Sequence, residues 1–245
     1  MVKIIAHRGS SGEAPENTMY AFEKAVSDGA DAIETDVRKT KDGVLIIMHD
    51  STLKRLAGDA YADWDVTEMT YDQIKDVDIS SKHFPNVPVQ NIVKLSELLE
   101  LVKKTGIELN IEIKANRTVD DGLEYDIVEM VKQYGVEDKI FYSCFDHPIL
   151  VNILKANPDA KVAPLYSDVM YKAENYAKSI GAFAVHPEYR SNILRGNLMA
   201  VRNAGIEINA WTVNDAESAV NTVKAGVTGI ITNYPRQIRD AVKDL

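Results

Sequence analysis

The chain lacks the features that mark several specialised protein classes. Among its 245 residues there is one cysteine, Cys144. A lone thiol excludes an internal disulfide framework and suits a reducing compartment. No apolar run approaches the roughly 18 residues a membrane-spanning helix needs. No basic segment with a long apolar stretch precedes the first strand, so no signal peptide is predicted. These absences predict a cytoplasmic protein with no stable membrane association. The 28 basic residues are outnumbered by 37 acidic ones, giving a formal net charge of −9, and no Lys/Arg run occurs. That balance argues against nucleic acid as a partner. Internal repeats and low-complexity segments are also missing, and no Gly-rich dinucleotide fingerprint follows the first strand.

What is present is ordinary globular composition, 45% hydrophobic and 27% charged. Apolar runs alternate with helical patterns. The strand-like runs are KIIA, AIETDV (32–37), ELNIEIK (108–114), IFYSC (140–144), KVAPLY (161–166), AFAVH (182–186), EINAWT (207–212) and GIITN (229–233). Helix-like segments separate them, among them LSELLELVKK, PILVNILKAN and ILRGNLMAVRNA. Strands alternating with helices imply parallel βα units, and eight of them in a chain of this length predict a distorted (β/α)8 barrel of the α/β class. An open doubly wound sheet is the alternative, weakened by the missing fingerprint.

A ninth run, VLIIM (44–48), follows AIETDV too closely for a parallel crossover. Asp42-Gly43 is a two-residue hairpin signal. The run is therefore read as the returning arm of an antiparallel hairpin, with Lys41 opposite Val44 and Asp36 opposite His49. Residues 51–94 break the rhythm. They are expected to form a small, dependent excursion on the barrel's top face, within a single domain of 1–245. Its aromatics Tyr61, Trp64 and Phe84 either anchor it or cover part of the pocket.

Barrel chemistry sits at the C-terminal strand ends. His7 and Arg8 end the first strand. Glu34 and Asp36, two apart, share one face of the second. Asn110, Glu112 and Lys114 share one face of the next. Asn209 and Trp211 end the seventh. Charge facing a barrel lumen is costly unless it is paired or holds a cation. Glu34, Asp36 and Glu112 offer hard oxygen ligands, which suit Mg²⁺ or Ca²⁺ better than zinc. Arg8 and Lys114 add fixed positive charge, completing a clamp for a phosphoryl group. His7 and His49 at the same mouth can serve as general base and general acid. The glycines of HRGSSGEAPENT are expected to let backbone approach a ligand, with Glu16 or Asn17 starting the first helix after Pro15. His186, at a strand end, is a candidate to face the pocket, and Phe145 is another. Cys144 is expected to be a small buried apolar residue.

HRG at 7–9, PENT at 15–18, ETD at 34–36, DG at 42–43, HD at 49–50, EIK at 112–114 and WTVN at 211–214 occur in that order. The set resembles the glycerophosphodiester phosphodiesterase family from the first strand to the eighth. The resemblance implies a distorted barrel, one divalent cation, Mg²⁺ or Ca²⁺, and hydrolysis of small glycerophosphodiesters to glycerol 3-phosphate and an alcohol. It implies metal carboxylates at Glu34, Asp36 and Glu112, acid–base histidines at His7 and His49, phosphate-binding Arg8 and Lys114, and Trp211 near the glycerol. It also implies a small insertion after the second strand, which 51–94 fits. Where the family usually reads TDYP, this chain reads TNYP, so Asn233 replaces an acid and should modulate activity. The first nucleophile is either water or the neighbouring glycerol hydroxyl. Two other readings are a related barrel enzyme acting on lysophospholipids and an inactive phosphodiester-binding barrel.

Overall fold

The computed structural model describes residues 2–115, 121–195 and 198–245, without the side chains of 194 and 195. Its strands are β1 (Lys3–His7), β2 (Ala32–Lys39), β3 (Leu45–Ile47), β4 (Glu108–Ile113), β5 (Ile140–Cys144), β6 (Lys161–Tyr166), β7 (Ala184–Pro187), β8 (Glu207–Ala210) and β9 (Gly229–Thr232). Its α-helices are α1 (Met19–Ser27), α2 (Lys54–Ala57), α3 (Tyr71–Ile74), α4 (Leu95–Thr105), α5 (Leu123–Tyr134), α6 (His147–Ala156), α7 (Ala173–Ser179), α8 (Tyr189–Arg195), α9 (Leu198–Asn203), α10 (Ala216–Lys224) and α11 (Pro235–Val242). Eight parallel strands run β1-β2-β4-β5-β6-β7-β8-β9 and close back on β1, forming the expected barrel. The run ILRGNLMAVRNA contributes to two helices, α8 and α9, and its residues 196–197 lie outside the described ones. No helix among the described residues is long and apolar enough to cross a membrane.

Alternation along the strands builds two compartments. On the outer face, Ile33, Val37, Leu109, Ile111 and Ile113 pack against Phe22 of α1 and Leu95, Leu98, Leu99 and Val102 of α4. Those α4 residues follow helical spacing, and Gly106, at φ 73°, ends the helix. On the inner face, Ile5, Ala32, Phe141 and Ile231 form an apolar plug. The next inward residues along these strands are His7, Glu34, Ser143 and Asn233. The polar site is therefore a layer stacked on a mainly apolar floor.

The hairpin register is one residue off the expectation. Lys39 pairs with Leu45 and Val37 with Ile47, so Asp36 is opposite Met48. The cause is a three-residue loop, Lys41 to Gly43, with Gly43 at φ 84°. A one-residue slip would normally turn His49 to the other face. It does not, because β3 ends at Ile47 and His49 lies beyond the regular ladder. Val37 bonds β3 on one edge and β4 on the other, so β3 takes the edge of β2 that β1 vacates past Glu34.

Two local expectations are corrected. Thr18 caps α1, its hydroxyl accepting from Ala21 N at 3.2 Å; neither Glu16 nor Asn17 does. The glycines approach protein rather than ligand. At Gly9, φ 80°, a Cβ would sit 2.7 Å from the Ala21 backbone, and at Gly12 it would strike the Tyr234 ring. Residues 51–94 carry α2 and α3 and hold a small core of their own. Leu53, Leu56, Val66, Ile74, Val77, Ile79 and Ile92 bury against Ile46 and Met48 of the hairpin. Tyr61 and Trp64 meet edge to face at 5.1 Å and pack on that core as anchors.

Candidate active site

Burial first concentrates the acids. Glu34, Asp36 and Glu112 are 3%, 0% and 8% exposed, and one carboxylate oxygen from each lies within 4.8 Å of the others. The register explains this. Asp36 pairs with Glu112 across β2 and β4, and Glu34 lies one pleat below on the same face. Burial and the two neighbouring carboxylates push Glu34 well above its ordinary range. Burial and Asp36 push Glu112 up to about 7. Burial also opposes ionisation of Asp36, but Lys114 and Arg8 outweigh it and hold Asp36 well below the usual range. Three buried hard-oxygen donors with raised protonation on two of them fit a divalent cation, whose charge would relieve the repulsion.

Cationic side chains frame this cluster. Lys114 Nζ lies 3.0 Å from Asp36 and bonds Glu112 as well. Arg8 Nε is 3.3 Å from Asp36, and Arg8 NH1 donates to Glu16 at 2.9 Å. Arg8 has φ 55°, and its backbone N–H donates to Glu34 Oε2 at 3.1 Å. A non-glycine residue in the left-handed region is uncommon and marks a backbone held by its surroundings. Asn17, at φ 58°, donates to Asp36 Oδ2 at 2.8 Å and accepts from Thr35 at 2.9 Å.

The two histidines face the same cavity with opposite partners. His7 Nδ1 donates to Asn233 Oδ1 at 2.7 Å, leaving Nε2 toward Glu34 at 3.9 Å. Burial and the Arg8 charge lower His7 to about 4. His49 Nδ1 donates to the Asp50 carboxylate at 2.6 Å. Burial lowers His49 too, against the pull of Asp36 and Asp50. Arg38 fixes the strand end by donating twice to the His49 carbonyl, at 3.1 and 2.7 Å.

A cavity of about 120 Å³ is lined by His7, Arg8, Glu34, His49, Glu112, Lys114 and Trp211, while Asp36 is fully buried and lies outside the lining. Phe145 joins the lining and meets Trp211 edge to face at 5.7 Å. Asn110 and Ser143 line it too, with buried side-chain polar atoms that have no hydrogen-bond partner. An adjoining recess of about 460 Å³ shares Glu112, Lys114 and Phe145 and adds Arg38 and Asp146. His186 is fully buried in the lumen, accepts from Asn209 at 3.0 Å, and does not line the cavity. Cys144 is buried with its thiol on the Ile113 carbonyl. Sequence reasoning gave no site role to Asn17, Glu16 or Asp50, which bond Asp36, Arg8 and His49. Asn17 and Glu16 stand in PENT and Asp50 in HD, so those motifs were the available signal.

The family model for the glycerophosphoryl diester phosphodiesterase family matches residues 7–237. A glycerophosphodiester phosphodiesterase of Caldanaerobacter subterraneus subsp. tengcongensis is 34% identical, covering 98% of this chain and 97% of that protein. One from Bacillus altitudinis is 35% identical, covering 99% of this chain and all of that protein. Among solved structures, an Oleispira antarctica phosphodiesterase in complex with the product sn-glycerol-3-phosphate superposes with a TM-score of 0.90, at 26% identity, over 99% of this chain and 97% of that one. This chain belongs to the glycerophosphoryl diester phosphodiesterase family and is a phosphodiester hydrolase of that family.

Proposed function

We propose that the chain hydrolyses small glycerophosphodiesters, such as glycerophosphocholine and glycerophosphoethanolamine, to glycerol 3-phosphate and an alcohol in a reaction that depends on a divalent cation. The observation that carries this reading is the meeting of three buried carboxylates, two basic side chains and two histidines around one cavity. The complex of the Oleispira antarctica relative with sn-glycerol-3-phosphate supports the same substrate class.

Glu34, Asp36 and Glu112 would hold the cation. When bound, it would supply positive charge to a phosphoryl oxygen. Arg8 and Lys114 flank the carboxylates and orient the remaining oxygens. The partners of the histidines divide their roles. Asn233 is neutral, so His7 stays unprotonated at Nε2 and accepts the nucleophile's proton. Asp50 is a carboxylate that offsets part of the burial penalty on a charged His49, so His49 is the ring better placed to carry a proton and deliver it to the leaving oxygen. Trp211 and Phe145 give the glycerol carbons an apolar wall.

Rates on glycerophosphocholine and on lysophosphatidylcholine, measured for the parent, His7→Ala and His49→Ala, test the proposal. Turnover of the small diester that both variants lose is expected. Preference for the lysophospholipid would move the assignment to a lipase-like enzyme. Full activity in both variants would remove the acid–base roles.

A further inference from the structure

Arg55 lies on α2, in the excursion, and does not line the cavity. Its guanidinium nonetheless reaches two carboxylates that each hold a site residue. NH1 and NH2 donate to the two oxygens of Glu16 at 2.8 and 2.7 Å. Glu16 Oε1 also accepts from Arg8. Arg55 Nε donates to Asp50 Oδ2 at 2.6 Å, and the other Asp50 oxygen accepts from His49 Nδ1. The result is one unbroken chain, Arg8–Glu16–Arg55–Asp50–His49, joining the end of β1 to the segment after β3.

We propose that Arg55 is a positioning residue that sets the separation between Arg8 and His49. The proposal rests on the phosphate-binding and acid roles given to those two residues above. The physical reason is the shape of the guanidinium. Its donors leave in one rigid plane, so a bidentate grip on Glu16 fixes the direction in which Nε meets Asp50. A lysine in its place can approach either carboxylate but cannot orient both. Without the fork, Glu16 and Asp50 lose their shared counter-charge, and each can turn away from the residue it holds.

The geometry separates this role from a structural one. The Arg55 side chain is 42% exposed, so solvent screens its grip, and even as a bidentate network it adds only modestly to stability. The helix does not depend on the guanidinium for its anchorage. The Arg55 carbonyl accepts from Lys82 at 3.0 Å and from His83 at 2.9 Å, and neighbouring Leu56 is buried in the excursion core. Replacing the side chain should leave α2 in place and loosen only the charged chain.

The test is steady-state kinetics of the Mg²⁺-loaded protein on glycerophosphocholine, with a thermal melt for each variant. Arg55→Gln should lower kcat/KM roughly 10- to 100-fold, the range of a small misplacement at a reacting centre. The loss should split between a lower kcat, from His49, and a higher KM, from Arg8, with little change in melting temperature. Arg55→Lys should recover only part of it. In an Asp50→Asn background the effect of Arg55→Gln on kcat should nearly vanish, because the link to His49 is already cut. An Arg55→Gln variant with parental kinetics and a lowered melting temperature would overturn the proposal. Full additivity with Asp50→Asn would overturn it as well. His49→Ala and Arg8→Ala run alongside: if they turn over like the parent, the underlying reading fails, whereas their loss beside an unaffected Arg55→Gln refutes Arg55 alone.

Discussion

Replacing Asn233 by leucine should cost rate rather than substrate affinity. The Asn233 amide oxygen is 2.7 Å from His7 Nδ1 and belongs to the loop after β9. Leucine keeps the approximate volume and removes the acceptor. In the resting state His7 is neutral, lowered to about 4 by burial and the Arg8 charge, and an unpaired imidazole can partly adapt by changing tautomer. In the transition state the ring gains a proton and must donate from both nitrogens. The hydrogen bond to Asn233 then carries charge, where such bonds are worth about 1.5–3 kcal/mol. At about 1.4 kcal/mol per factor of ten, kcat should fall by roughly 10- to 100-fold. KM should stay within about threefold, since His7 is not the phosphate clamp. Release of glycerol 3-phosphate, followed by coupled oxidation, measures both parameters. A leucine variant with parental kcat would refute the account of His7. Asn233→Asp supplies the complementary case. Its carboxylate would favour the imidazolium, raise the His7 pKa, and move the acid limb of the kcat profile to higher pH while the rate at alkaline pH is kept.

Other consequences are open to direct measurement. His186 is lowered to about 3 by burial and the Lys3 charge. Between its unfolded value of 6.5 and about 3 the unfolded chain binds a proton that the native chain refuses, so stability falls as pH drops through that window, by about 1.4 kcal/mol per unit. Urea melts across pH 7 to 4 should show a slope to which His186 adds this share beside His7 and His49, and His186→Gln should make it shallower; an unchanged slope would contradict the assignment. Because Glu112 is raised to about 7 and Glu34 is raised as well, Mg²⁺ binding at pH 6 should release protons and weaken as pH falls. Calorimetry in buffers of different ionisation enthalpy reads the release, and a buffer-independent heat would count against these carboxylates as ligands. Gly9→Ala should destabilise the fold by about 3 kcal/mol, combining a positive φ with a Cβ driven into the α1 backbone, and a melt within a degree of the parent would contradict that reading.

Much of the barrel was legible because strand periodicity is local. The two-residue spacing of Glu34 and Asp36, and of Asn110, Glu112 and Lys114, already places them on one face. What escaped depends on irregular backbone. The hairpin register turned on whether Gly43 closes a two- or a three-residue loop, a choice that Asp-Gly alone does not make. The excursion's core was hidden because Leu53, Val66, Ile79 and Ile92 are scattered without a period. Gly9, expected from the sequence to leave room for a ligand, has the first turn of α1 as its neighbour. The Arg55 network joins residues 39 positions apart through side chains alone, which no periodic pattern reports.

The most direct test is glycerol 3-phosphate release from glycerophosphocholine by purified protein stripped with chelator, then resupplied with Mg²⁺ or Ca²⁺. The account predicts no release after chelation, recovery with one or both ions, and no recovery in Glu112→Ala. Undiminished release after chelation, or a Glu112→Ala variant that turns over like the parent, would contradict the carboxylate cluster as the seat of the reaction.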